Sequence, residues 1–428
     1  MTAEVGVMNG IGVALAADSA VTMAGRNVRK IYTSADKLFQ LSTGAPVAAM
    51  IYGNADYVGM PWETILKSYR EELGSKVYPT IVQYAEKLLA HCSRNRRLFP
   101  VSSQQDDLRT IAIEALIHLR DHVLEHLKIE STKARLTNTT IRRTAEEVIA
   151  HDTARLRKLP YFEGGSAKLG PQLRGLLRKD LPRMIDLVFG TLPMSKKGVE
   201  GLRQLTVQAL LRNRFGRGHS GLIIAGFGAN EYSPALAALE LEGMAFNKPR
   251  FAIRHTEKIG GRVDSFIMPF AQREMIYLFM EGIDRLFEYH VITSTQNVIL
   301  GVVDGVLRSI EGHDAKFGKT LRKRVTPQLH KIVKEMFDDW KEQRAQHYAR
   351  PIMRAVAALP KDELGLMAEA LVSLTKFKRR VSTQEETVGG PIDVAIITKG
   401  DGFVWLKRKH YFDPILNPRV IARLTRGN

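Results

Sequence analysis

The chain has 428 residues, 44% hydrophobic and 25% charged, which is enough apolar material for one large domain or two ordinary ones. Its 63 Lys and Arg against 45 Asp and Glu give a formal net charge of +18. That balance favours acidic partners or makes a solvated basic surface. A single cysteine, Cys92, excludes an internal disulfide framework and a cysteine-rich zinc site, and no apolar run is long enough to span a bilayer.

The opening MTAEVGVMNG has neither a basic n-region nor an apolar h-region, so no secretory signal is expected and the chain reads as cytoplasmic. Thr2 is small, and initiator Met is usually removed before a small residue. Thr2 is therefore expected to carry a free α-amine. Residues 2–56 read as β: GVALAAD (12–18), KLFQL (37–41) and APVAAMIYG (45–53) are short apolar runs with Gly-containing turns between them.

From 62 to 92 the apolar spacing turns helical, and Cys92 at its end reads as a structural thiol. A long basic block follows, 94–218. Within it 105–129, 134–159 and 201–215 read as helices, and 161–172 as a loop. His118, His122 and His126 recur at helical spacing with no clustered carboxylates, which reads as a polar helix face more readily than a metal face. HSGLIIAG (219–226) reads as a buried strand, the following GFGANE as a turn, and 232–243 as a turn followed by another strand or a short hairpin.

Helices are expected over 269–289, 293–312, 326–359 and 362–381. The last has acid at its start and Lys and Arg at its end, as the macrodipole prefers. PIDVAIIT (391–398), the turn KGDG and FVWLKRK (403–409) read as a hairpin. Strands at both ends and in the middle, separated by helices, fit an α+β fold with helices outside a two-sheet core.

An N-terminal Thr can serve as a nucleophile once a base takes its hydroxyl proton. A free α-amine, with a pKa of roughly 7.7–8.0, is close to neutral at pH 7. A neighbouring Lys ammonium lowers it further, and a buried carboxylate must hold that Lys. Backbone N–H donors at the oxyanion are worth roughly two to three orders of magnitude in rate. The N-terminal block holds a candidate for each part: Thr2, Asp18 at the end of GVALAAD, Lys37 opening KLFQL, and Gly53 closing APVAAMIYG.

TAEVGV, GVALAADSAVTM, KLFQL and AAMIYGNAD resemble the successive opening motifs of proteasome β subunits and HslV-type peptidases, which are N-terminal-nucleophile hydrolases. EETVGGPIDVAIITKGDGFVWL resembles the closing Gly-Gly loop and hairpin of that family, and GLIIAGFGANEYSPAL its mid-chain strand and turn. The resemblance implies a four-layer αββα sandwich of two antiparallel sheets. It covers 2–92, 219–289 and 362–428, with helical insertions at 93–218 and 290–361. It implies Thr2 as nucleophile, Asp18 as the acid pairing with the catalytic lysine, Lys37 as that lysine with Lys30 as competitor, Gly53 at the oxyanion, and Glu385 as the acid that braces the amine. The sequence departs from the pattern where Val388 stands in place of a serine, and where a Gly-Ser-Gly turn is missing near Ser265.

The implied activity is a threonine-type peptidase or amidohydrolase without cofactor or metal, acting on a polypeptide or amide and assembled as a homo-oligomeric ring. The basic insertions would then cap a chamber or dock a partner such as an ATPase unfoldase or another acidic protein. Nucleic acid is the weaker fit, because aromatics are sparse in 94–218. The alternative is a catalytically weakened scaffold whose insertions make it a binding module.

Overall fold

The computed structural model describes residues 2–24, 29–132, 135–382, 388–410, 412–413 and 415–426, without the side chains of 22–24, 29–31 and 423–426. The chain opens with β1 (Ala3–Asn9), β2 (Gly12–Asp18), β3 (Val21–Ala24), β4 (Arg29–Tyr32), β5 (Leu38–Gln40), β6 (Val47–Gly53), β7 (Asp56–Tyr57) and β8 (Met60–Pro61). Helices follow: α1 (Trp62–Leu73), α2 (Ile81–Arg94), α3 (Val101–Ser131), α4 (Asn138–Lys158), α5 (Gly170–Leu177), α6 (Leu181–Phe189) and α7 (Lys196–Leu211). Then come β9 (Ser220–Gly226), β10 (Ala235–Ala245), β11 (Lys248–Lys258) and β12 (Ser265–Ala271). The remainder is α8 (Glu274–Glu281), α9 (Arg285–His313), α10 (Ala315–Arg344), α11 (Arg350–Ala358), α12 (Lys361–Val381), β13 (Ile392–Thr398), β14 (Gly402–Lys407) and α13 (Pro418–Arg426).

The class is α+β, with two five-stranded antiparallel sheets ordered β12-β1-β2-β13-β14 and β11-β10-β9-β6-β5. The chain divides into two compact units. The first comprises 1–35, 259–396 and 404–416; the second comprises 36–258, 397–403 and 417–428.

In the first unit, β1 and β2 form a tight hairpin. The Asn9 side-chain oxygen accepts the N–H groups of Ile11 (2.9 Å) and Gly12 (3.4 Å), closing the turn from within. Strand alternation sends Ala3, Val5 and Val7 to one face, where they pack with Leu364, Ala368, Leu371 and Val372 of α12. Each such Val or Leu, fully buried, contributes roughly 1.5–3 kcal/mol. α12 carries Asp362 and Glu363 in its first turn and Lys378, Arg379 and Arg380 in its last, as expected from the sequence. α9 and α10 pair as a long hairpin, each capped by an aspartate, Asp284 and Asp314 respectively.

In the second unit, α1 and α2 cover one face of the sheet. Trp62, Ile65, Leu66, Ile81 and Leu88 pack against Leu222, Ile224, Leu239 and Leu241. Helices α3 to α7 have their own core, with Leu108, Leu116, Phe162, Leu173, Leu202 and Leu210 among its members.

Three sequence expectations are corrected. The helix expected from 269 starts at Glu274, because the apolar run FIMPFA pairs as β12 with β1 and the backbone then turns at Ala271 (φ 56°). β11 was not expected; a Phe246–Asn247 turn with φ of 53° and 63° returns the chain along β10. The segment 161–172 is not all loop, since it runs through a 3₁₀ turn at Ala167–Leu169 into α5.

Candidate active site

The first unit places Thr2 immediately before β1. Thr2 and Glu4 share one face of the strand, opposite Ala3 and Val5, because strand side chains alternate. Both are withdrawn from water, Thr2 at 4% exposure and Glu4 at 1%. The Thr2 hydroxyl donates to the Glu4 carboxylate (Oγ1 to Oε2, 3.0 Å). Burying a carboxylate is costly unless it is hydrogen-bonded, and the hydroxyl is part of its compensation.

Asp18 ends β2, beside the start of β1. Its carboxylate accepts the Ala3 N–H at 3.1 Å, the Gly389 N–H at 2.9 Å and the Ala20 N–H at 3.4 Å. Its neighbour Ser19 extends the same joint: its N–H donates to Gly389 O (3.2 Å) and its hydroxyl to Pro391 O (2.7 Å). The Gly389–Gly390 loop is thus tied to the end of β2. Gly390 has φ 75°, and a Cβ there would lie 2.7 Å from Thr33 O, so glycine is required by conformation and by space. The Lys376 ammonium donates to Gly390 O at 2.9 Å from α12. The structure therefore brings Thr2, Asp18 and the Gly-Gly loop together.

Val388, where a serine was expected, is buried in the apolar cluster with α12 and β1 and offers no hydrogen bond from its side chain. Ser265 lies at the opposite end of the sheet from Thr2. It pairs with Asn9 across β1, and its hydroxyl donates to Met353 O at 2.7 Å. Glu385 and Met1 lie outside the described residues, as does the side chain of Lys30.

The second unit holds the other two candidates. Lys37 is 3% exposed, and its carbonyl accepts the Ile51 N–H at 2.8 Å. Gly53 closes β6 with φ 78°, and a Cβ there would lie 2.6 Å from His219 O. The next residue, Asn54, donates its N–H to the same carbonyl at 3.1 Å, and the Ser220 hydroxyl donates to Asn54 O at 2.9 Å. Lys37 and Gly53 thus sit close along the β5–β6 pair, with the Gly53 turn pinned to the start of β9.

Other sequence candidates resolve as structure. Cys92 is buried and its thiol is pushed up to about 12 by burial, which leaves it protonated and inert. The GFGANE turn is held by Glu231, whose carboxylate accepts the N–H groups of Gly228 (2.9 Å) and Ile81 (3.0 Å). His122 bonds Asp152 at 2.9 Å and stacks edge-on with His126. Among the described residues no group of three or more His, Cys, Asp or Glu could hold a metal. Also among them, no helix is long and apolar enough to cross a membrane.

Sequence reasoning did not single out Glu4; its only signal was an acid inside an otherwise apolar strand. It also overlooked a buried charge cluster in the second unit. Arg250, fully buried, donates to Leu210 O (2.9 Å), Ala209 O (3.2 Å) and Glu242 O (2.7 Å) and pairs with the Glu242 carboxylate at 3.4 Å. Beside it burial pushes Asp107 up to about 6, opposed by Arg250 and reinforced by Glu242 and Glu114. Glu114 is likewise raised, first by burial and then by Glu242.

No family model matches the chain, and no curated protein matches it. Among solved structures it is similar to a Gly-1 mutant of Anbu from Hyphomicrobium sp. strain MC1, with 9% identity, 100% of this chain and 95% of that chain covered, and a TM-score of 0.31. It is also similar to Anbu from the same strain, with 10% identity, 99% and 96% covered, and a TM-score of 0.28. At that identity and TM-score the likeness carries no argument about chemistry, which rests on the residues themselves.

Proposed function

We propose that the protein is an N-terminal threonine hydrolase acting on amide bonds. The observation that carries this reading is the Asp18 carboxylate, which joins the N–H of Ala3, next to Thr2, to the N–H of Gly389 and so fixes the start of the chain against the closing loop. Removal of Met1 exposes the α-amine of Thr2. The amine takes the hydroxyl proton as Oγ1 attacks the amide carbon, and the carbonyl electrons move to oxygen. The mechanism further needs backbone N–H groups at that oxyanion and an ammonium that keeps the amine neutral by like charge, the roles for which the sequence offers Gly53 and Lys37. Collapse expels the amine product, which leaves with the proton. Water then hydrolyses the Thr2 ester by the same base.

A second reading is favoured by two observations: the Thr2 hydroxyl is already engaged by Glu4, and Val388 removes a hydrogen-bonding group near the terminus. In that reading the chain is a weakened scaffold that binds through its helical segments. Ring assembly and docking of an unfoldase belong to the proposal in either form.

Intact mass and labelling by an electrophile specific for N-terminal Thr separate the two. The hydrolase reading expects loss of Met1 and one adduct that is absent from Thr2→Ala. Retained Met1, or labelling indifferent to Thr2→Ala, gives the scaffold.

A further inference from the structure

A cleft of about 700 Å³ opens among the helices of the second unit, far in sequence from Thr2. α4 supplies Arg157, α5 supplies Arg174 with Arg178 just past its end, and α7 supplies Arg203. One carboxylate, Glu200, lines the same cleft and is engaged by Arg203 at 3.4 Å. Arg157 is oriented by a hydrogen bond to the Gln204 side-chain oxygen at 3.0 Å. Among the described residues no ion pair involves Arg174 or Arg178 (like charges one helical turn apart).

Four guanidinium groups from three helices thus converge against one carboxylate. Glu200 offsets only part of their mutual repulsion, so the exposed mouth of the cleft attracts an anion. The planar fork of each guanidinium matches a phosphate with two parallel N–H···O bonds. The volume is that of a small-molecule site. Among the described residues no aromatic side chain is in its lining, so recognition falls on the phosphates and not on a stacked base.

We infer that this cleft binds a run of two or more contiguous phosphates, from an inorganic polyphosphate or from the tail of a nucleotide. The site stands whether or not Thr2 is a nucleophile.

Calorimetric titration of the full chain with tripolyphosphate and with ATP, at about 0.15 M salt to screen diffuse attraction, tests it. Saturable one-to-one binding is expected. Removing two charged hydrogen-bond forks, Arg174→Ala with Arg178→Ala weakens binding by about 10-fold or more. Arg142→Ala with Arg143→Ala, which removes the same charge from another stretch of α4, leaves it unchanged. Arg174→Lys with Arg178→Lys keeps the charge without the fork and binds between wild type and the alanine pair, which covers the case of an alanine pair that fails to fold. Tighter binding of tripolyphosphate assigns the inorganic chain; equal binding of ATP assigns a nucleotide tail. The inference is overturned by absent saturation, by an equal loss in the Arg142 and Arg143 variant, or by a hexaglutamate peptide or an oligothymidylate binding as tightly as tripolyphosphate.

Discussion

The Thr2 hydroxyl and the Glu4 carboxylate meet at 3.0 Å inside the protein, on one face of β1. The carboxylate accepts the hydroxyl proton in a hydrogen bond and orients the oxygen, so in the hydrolase reading Glu4 is the candidate for a second proton acceptor. Glu4→Gln keeps an acceptor but loses the charge. Labelling of Thr2 by an electrophile at pH 7 is expected to slow on the order of 10-fold, below the full worth of a general base. An unchanged rate would leave Glu4 with a packing role alone.

Asp18 is the acceptor for three N–H groups on three stretches of chain. Asp18→Ala leaves them buried and unsatisfied, at about 1–3 kcal/mol each. Denaturant unfolding is expected to show a loss of about 3 kcal/mol or more. A loss under about 1 kcal/mol would mean that water or the loop replaces the carboxylate.

Gly53 offers a cleaner steric test. Gly53→Ala meets both a left-handed backbone and the His219 carbonyl at 2.6 Å. The expected cost is about 1–3 kcal/mol in the same unfolding experiment. Gly10→Ala, where no atom of the described residues lies within 4 Å of the added Cβ, is the control and should stay near wild type.

Asp107 gives a pH signature. Its folded pKa, about 6, lies above its ordinary value of 3.8. The protonated form is favoured by the fold, so its contribution is fully present below pH 3.8 and is lost as pH rises through 6. Asp107→Asn removes that loss. The gain in melting temperature over wild type should be small at pH 4 and largest above pH 7. A gain independent of pH would mean that the carboxylate is solvated in the native state, away from Arg250, Glu242 and Glu114.

The strands that build the Thr2 site were legible because their signals are local. GVALAAD and PIDVAIIT are apolar runs bounded by turns, and they form β2 and β13 within a residue of the expected limits. Asp18 stood out as an acid closing such a run, and the structure gives it the anchoring position. β11 was illegible because Phe246 fills the first position of its turn and leaves Asn247 as the lone turn signal there, and because an edge strand with polar residues alternates weakly. Glu4 was passed over although strand alternation puts it on the Thr2 face, because the spacing alone does not show that this face is buried. The arginine cleft was equally hidden: Arg157, Arg174 and Arg203 are ordinary helix-surface residues until α4, α5 and α7 are packed together.

The bond between Asp18 and Gly389 joins residues 371 positions apart. During synthesis Asp18 emerges before Gly389, and the bond between them waits for the intervening residues to be made. A chain cut before Gly389 lacks that half of the joint. The joint therefore ties the end of β2 to a segment made 371 residues later, a closure that contacts within the hairpin cannot supply.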